Sequence, residues 1–390
     1  MKRYFTLFYF TLLCCLSTAT AQTQSNQDPI VIERWKDPSK LIPISVSGFT
    51  GEVLSVLRFD LEIAGFDFVS PDKASYQVTG KNGGNVEGQL IDGLSKRPVF
   101  SKSYSGGTLR SQAHALANDI IFAVTGVKGV AHTKIAFRVD QGDTSEVFVA
   151  DYDGHNAVAI TSDRTEVALP TWVPGQRKLL YSSRRNGFLH LFSHDLTTGS
   201  RKLVAGYSGN NYSAAVSPDG RRIAMILTKS GNPDLYVADI DGSNLRQLTR
   251  TRDDESSPCW SPDGSTICYV GRSGKRAALF TISANGGEPR QLTVRDSLNL
   301  TEPDWSPDGK QIVFTRMMGN FEICVVPAGG GTSTVLVTGE DPSWAPNSRT
   351  VIFTRRQNNK RVLSLLDVPT KRVKDVAQIS GSSSQPSWSR

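Results

Sequence analysis

The chain has 390 residues, 38% of them hydrophobic and 21% charged, enough for more than one domain and a large core. Its formal charge of +7 is mild for this length, and the Lys and Arg residues gather into no run or face. Nucleic acid is therefore not the expected partner.

The first residues read as an export signal. Lys2 and Arg3 supply the positive start, Leu7 to Leu16 the apolar stretch, and Ala19-Thr20-Ala21 a small-residue cleavage site before Gln22. The apolar stretch is too short for a stable bilayer-spanning helix. Cys14-Cys15 does not fit a lipoprotein signal, in which a small residue precedes the modified Cys. Cleavage after residue 21 removes Lys2 and Arg3 and leaves a charge of +5 with three thiols, Cys259, Cys268 and Cys324. An odd number of thiols leaves at least one free, so the mature chain is no disulfide-built scaffold.

Residues 22–130 read as a small α/β domain. Ile30-Val31-Ile32 suggests a short strand, and Leu41 to Gly48 a second. Val53, Leu54, Leu57, Leu61 and Ala64 then fall at helical spacing, with Gly65 as the stop. Phe66 to Val69, Tyr76 to Thr79, Val86 to Ile91 and Val99 to Tyr104 are four short strand candidates between turn residues. An amphipathic helix follows from Leu109 to Thr125, closed by Gly126. His114 lies beside its apolar stripe. With no second His, Cys or acid one turn away, it reads as a packing or boundary histidine.

From residue 131 the pattern is strand and turn. Pro258-Cys-Trp-Ser-Pro-Asp-Gly264 returns almost unchanged as Pro303-Asp-Trp-Ser-Pro-Asp-Gly309, and weaker copies precede and follow. The landmark positions are 172, 216, 260, 305, 344 and 388, so the intervals are 44, 44, 45, 39 and 44 residues. That period, with four short strands per unit, is the signature of propeller blades. Second strands number six, beginning near Ile135, Leu179, Ile223, Ile267, Ile312 and Val351. The first unit has no landmark before Ile135, and Trp388 has no unit after it. The economical solution returns residues 386–389 as the missing strand of the first blade, which removes the free edges of the ring. The expected fold is thus mainly β, a six-bladed propeller over residues 131–390 preceded by a small α/β domain. The tryptophans are expected between neighbouring blades, with a looser seam at Val216, the one copy without an aromatic.

Catalytic signatures are missing: the sequence holds no nucleophile elbow, phosphate loop or dinucleotide fingerprint. His190 and His194 on one strand would lie about 13 Å apart, too far for one ion. Asp151-Tyr-Asp153-Gly154 and Asp239-Ile-Asp241-Gly242 read as turns, since they lack the remaining ligands of a calcium loop. No catalytic residue, metal site or cofactor is expected. Cys259 and Cys268 sit symmetrically about their turn and face each other across the hairpin as either a disulfide or two thiols, since opposed strand positions strain that bond.

The loops before each first strand should converge on one mouth of the channel, at 163–169, 208–214, 251–257, 296–302, 339–341 and 380–385. They carry Glu166, Asn211, Tyr212, Asp254, Glu255, Asn299, Thr301, Glu302, Glu340, Asp341 and Gln385, a polar and acid-rich set. Plain solvated loops carry the same residue types.

The export signal, front domain and six-unit repeat together resemble the translocation protein TolB family over essentially the whole mature chain. The motifs are Pro29-Ile-Val-Ile32, Leu109-Arg-Ser-Gln-Ala-His114 leading to Asp119-Ile120 and Thr125-Gly126, Leu235-Tyr-Val-Ala-Asp239 with Arg246-Gln-Leu-Thr249, and Glu302 to Gly309. The resemblance implies a periplasmic, non-enzymatic, monomeric member of the Tol-Pal envelope complex, supporting outer-membrane integrity and cell division. It implies that the peptidoglycan-associated lipoprotein Pal, with other outer-membrane lipoproteins as further candidates, binds the propeller mouth. On that reading Glu166, Asn211, Tyr212, Glu255, Asn299, Thr301, Glu302, Asp341 and Gln385 contact the partner. TolA would engage the segment 22–32, with Ile30, Val31 and Ile32 as its switch strand. The rival readings are an exported propeller enzyme, a lyase or peptidase-associated protein, and an unrelated propeller binding module. An enzyme needs a His/Asp/Glu cluster at the mouth, and no His falls in those loops.

Overall fold

The computed structural model describes residues 37–390, so the export signal and the segment 22–32, with Ile30, Val31 and Ile32, lie outside the described residues. In chain order the front domain runs β1 (Ile42–Ser47), α1 (Gly51–Ile63), β2 (Phe66–Phe68), β3 (Tyr76–Lys81), β4 (Val86–Asp92), β5 (Pro98–Tyr104) and α2 (Leu109–Thr125). The sheet order is β2-β1-β3-β4-β5, with β1 parallel to both its neighbours. Parallel neighbours need a crossover, which α1 supplies. Both helices lay their apolar stripes on the sheet: Val53, Leu57 and Leu61 of α1 and Leu116, Ile120 and Val124 of α2 share one core with Ile42, Ile44, Val78 and Leu90. A capping box starts α2, Thr108 Oγ1 accepting from Ser111 N–H and Ser111 Oγ from Thr108 N–H, each at 3.1 Å. Gly65 follows α1 at φ +88, and a Cβ there would stand 2.4 Å from Arg349 Nη2 of the propeller.

Six antiparallel sheets of four strands follow. We call the strands of each blade A to D. Strand A is Val167–Trp172, Asn211–Val216, Ser256–Trp260, Leu300–Trp305 and Glu340–Trp344 in blades 2 to 6. Blade 1 takes its strand A from the far end of the chain. Ser382–Trp388 pairs with the blade's strand B, Lys134–Gln141, placing Trp388 opposite Ile135. This strand begins four residues before Pro386. Pairing continues to the terminus, with Ser389 N–H donating to Lys134 O at 2.9 Å and Trp388 Nε1 to Thr133 Oγ1 at 2.7 Å.

The tryptophans sit between blades. Trp172 packs with Ala136 and Val149 of blade 1, Trp260 with Ala224 and Ile226 of blade 3, and Trp305 with Cys268 and Leu279 of blade 4. Trp344 packs with Val313 and Ile323 of blade 5, and Trp388 with Ile352 and Leu363 of blade 6. Burying one such side chain contributes about 3 kcal/mol. The blade 2–blade 3 seam is filled by aliphatic residues such as Leu180, Leu191, Ile223 and Met225, and Val216 there is only half-buried. The rest of the repeated phrase builds its own turn: Ser261 Oγ donates to Asp263 at 2.5 Å and accepts Thr266 N–H at 3.0 Å, while Gly264 takes φ +68. Ser217 with Asp219 and Ser306 with Asp308 repeat it.

Alternating strand direction puts the A–B and C–D turns at one end of the ring and the B–C turns and D–A loops at the other. The front domain packs on the A–B end. Arg372 of blade 6 donates to Phe66 O and pairs with Asp67 at 3.1 Å, and Lys374 pairs with Glu62 and covers the Phe59 ring at 4.9 Å.

Candidate functional site

The six A strands surround a central cavity of about 640 Å³. Three residues before each landmark, the backbone turns left-handed at a non-glycine residue. These are Leu169 (φ 55), Ser213 (54), Ser257 (49), Glu302 (52), Asp341 (55) and Gln385 (52). The pairing between strands A and B slips at the same place in every blade. These are six equivalent β-bulges. The residue after the bulge is Pro170, Pro258, Pro303, Pro342 or Pro386, and Ala214 in blade 3. A bulge leaves a residue out of the ladder, so a proline that cannot donate is tolerated there. Left-handed backbone at a non-glycine residue costs of order 1–3 kcal/mol. Among the left-handed non-glycine residues, these six recur at one equivalent position around the channel wall.

In three blades the bulge side chain reaches round to the next blade. Glu302 accepts Asp341 N–H at 2.9 Å, Asp341 accepts Gln385 N–H at 3.1 Å, and Gln385 accepts Leu169 N–H at 3.0 Å. Thr315 and Thr354 donate to the same two carboxylates at 2.8 and 3.1 Å. The relay ends at Leu169, which has no acceptor. Burial, and then the Asp341 charge, push the Glu302 carboxyl up to about 8. Burial also raises Asp341, with the Glu340 charge adding to it against the Gln385 hydrogen bond. The pair holds a proton where isolated carboxyls would have lost theirs.

The mouth residues expected from sequence divide into three sets. Glu302, Asp341 and Gln385 lie inside strands A, on the channel wall, and not in the loops before them. The proline motif hides the bulge across which the strand continues toward its N-terminal end. Asn211 and Glu255 are buried and satisfied internally. The Asn211 amide donates to the carbonyls of Leu189, Tyr207 and Gly209, and Glu255 accepts from Thr249 and Thr251 at 2.8 and 2.7 Å. Both hold loops in shape. Glu166, Tyr212, Asn299 and Thr301 remain partly accessible toward the D–A loops, with Glu166 paired to Arg184 at 2.5 Å. Loop 339–341 shrinks to Gly339 alone between strands, where a Cβ would stand 2.4 Å from the Phe353 ring, and this accounts for the 39-residue interval.

Cys259 and Cys268 are direct cross-strand partners, both buried, and both are free thiols. Hydrogen bonding to Cys268 and burial push the Cys259 thiol well up. Among the described residues no group of three or more His, Cys, Asp or Glu side chains is arranged to hold a metal ion. His114 is buried as a packing histidine, and its polar neighbours are two carboxylates. It is buried against Asp60 at 2.7 Å and Asp153 at 3.5 Å. Those partners stand on α1 and on the C–D turn of blade 1, so no spacing along α2 could have disclosed them.

The family described as the TolB beta propeller domain matches residues 122–390, more than half of the chain. The Tol-Pal system protein TolB of Bordetella pertussis (strain Tohama I) is 31% identical over 236 residues, 60% of this chain and 53% of that protein. The protein of the same name from Bordetella parapertussis gives the same figures. The chain thus spans about half the length of the curated relatives it matches. In fold, it resembles the crystal structure of TolB from Acinetobacter baumannii with a TM-score of 0.82 at 21% identity, covering 90% of this chain and 98% of that one. A chain of a nidogen–laminin complex has a TM-score of 0.54 at 12% identity, covering 66% of this chain and 98% of that one. The curated relatives are named as proteins of the Tol-Pal system. On the match over residues 122–390, the chain belongs to the TolB β-propeller family.

Proposed function

We propose that the chain is an exported, periplasmic component of a Tol-Pal cell-envelope system. In this reading it binds the lipoprotein Pal at its propeller and TolA through residues 22–32, and so supports outer-membrane integrity and constriction at division. The observation that carries the reading is the joining of front domain and ring in one chain. The TolB structure of A. baumannii covers 90% of the chain, whereas the matched chain of the nidogen–laminin complex covers 66%. Binding would use the accessible rim, Glu166, Tyr212, Asn299 and Thr301, with Glu302, Asp341 and Gln385 as the wall behind it. Asn211 and Glu255 would shape that rim from beneath. A switch at Ile30, Val31 and Ile32 requires this segment to interact differently with two states of the protein.

The test is capture from an envelope extract, comparing the wild type with a rim variant carrying Glu166→Arg and Tyr212→Ala. These positions spare the carboxyl pair on the channel wall. Loss of a single lipoprotein band from the variant supports the reading, and capture at the wild-type level overturns it. Deleting residues 22–32 should abolish TolA capture while the propeller still folds.

A further inference from the structure

Away from the channel, the front domain and blade 1 meet at a set of bonded polar side chains. Asp60 of α1, His114 of α2, and Tyr152 and Asp153 of blade 1 are all buried, none more than 6% exposed. His114 Nδ1 lies 2.7 Å from one oxygen of Asp60, and the other oxygen accepts the Tyr152 hydroxyl. His114 Nε2 lies 3.5 Å from Asp153, which also receives Arg110 of α2. Each imidazole nitrogen thus faces a carboxylate, one in its own domain and one in the propeller. A neutral imidazole can donate from only one nitrogen, and both donate only in the cation. Two buried carboxylates also need two cations, and Arg110 is one. With a proton on His114 the group is neutral; without it, one negative charge is left in a buried interface.

We propose that His114 is a proton-operated latch between the front domain and the propeller, bridging Asp60 and Asp153 when protonated and releasing Asp153 when neutral. The other charges facing it are few. Glu52 of α1 touches Arg110 at 3.5 Å, and the His132 ring, on the segment between α2 and blade 1, stands 6.3 Å away between centroids. In blade 1, Asp151 is already engaged by Lys134. Burial pulls the His114 pKa down, but Asp60, by hydrogen bond and charge, and then Asp153 outweigh it and leave it raised. Burial raises Asp60 as well. The sign follows: the latch is complete below the ordinary histidine value of about 6.5 and is lost as pH climbs through the raised one.

The test is hydrogen exchange on the full chain between pH 6 and pH 9, corrected for intrinsic rates, with strand B of blade 3 (Arg222–Leu227) as internal reference. In the wild type, amides of α2 and of the Tyr152–Gly154 turn should lose severalfold more protection than the reference amides. His114→Gln and Asp153→Asn should show the pH 9 level already at pH 6. Either variant keeping the wild-type pH dependence, or a wild type whose interface and reference amides respond alike, overturns the latch. If His114→Gln does not fold, Asp153→Asn decides alone.

Discussion

Blades 5, 6 and 1 and blades 2, 3 and 4 are cut from one repeat, yet they line the channel differently. On the first arc Glu302, Asp341 and Gln385 link the bulges of successive blades by side chain to backbone. On the second arc Leu169, Ser213 and Ser257 occupy the same positions with side chains that are apolar or short. The first arc also contains the closure by the C-terminal strand and carries the front domain. The second contains the one seam without a tryptophan, at Val216. The repeat therefore fixes the ring, while the residue three places before each landmark decides what each sector of the wall can do. The strain is shared by all six blades, but the chemistry is confined to three.

The largest test of this division is at the closure. Deleting residues 386–390 removes Trp388, its stacking on Tyr152 at 6.1 Å, its Nε1 bond to Thr133 and the end of the blade 1 ladder. Truncating a buried tryptophan alone costs about 3–5 kcal/mol. The melting temperature should fall by about 10 °C in a thermal scan. An unchanged value would mean that the ring is not held shut at this seam.

The carboxyl pair gives the second test. Because Glu302 holds its proton up to about 8, against 4.5 ordinarily, the folded state binds that proton more tightly than the unfolded chain. Wild-type stability should therefore decline as pH rises through that window. Glu302→Gln keeps an oxygen to accept from Asp341 N–H and Thr315, and it carries no charge. The variant should lose the decline and be more stable than the wild type at pH 8.5 by about 1–3 kcal/mol, with little difference at pH 5. Urea midpoints at the two pH values measure it, and parallel pH profiles would remove the pair from the comparison of arcs.

Much of this architecture was legible in the sequence. The front domain follows from apolar periodicity with Gly65 and Gly126 as stops, and the ring follows from counting one turn motif. The bulge was not legible, because the proline that marks it reads as a strand boundary when pairing is unknown. Nor was the burial of Asn211 and Glu255, whose partners are loop carbonyls and hydroxyls and, for Asn211, also the Leu189 carbonyl of a blade 2 strand, invisible to composition. The partners of His114 were hidden for another reason. Its partner Asp60 is 54 residues away and belongs to a different helix. Local spacing finds ligands on one element, and this cluster is assembled only by domain packing.

The smallest effect lies in the tryptophans themselves. Trp260 Nε1 donates to Ala215 O of blade 3 at 3.0 Å, and Arg222 of that blade lies over its ring at 4.9 Å. Trp344 is fully buried, yet its Nε1 has no hydrogen-bond partner. Replacing each by Phe removes a similar volume, so the cavity contributions should nearly cancel between the two. What remains is polar. Trp260→Phe takes the indole donor away from the half-buried Ala215 carbonyl and loses a cation–π contact, whereas Trp344→Phe removes a donor that was already unsatisfied. The first should destabilise the protein by about 1 kcal/mol more than the second in chemical denaturation. Equal losses would mean that the stitch from Trp260 to blade 3 carries no net weight, and that the tryptophans hold their seams by burial alone.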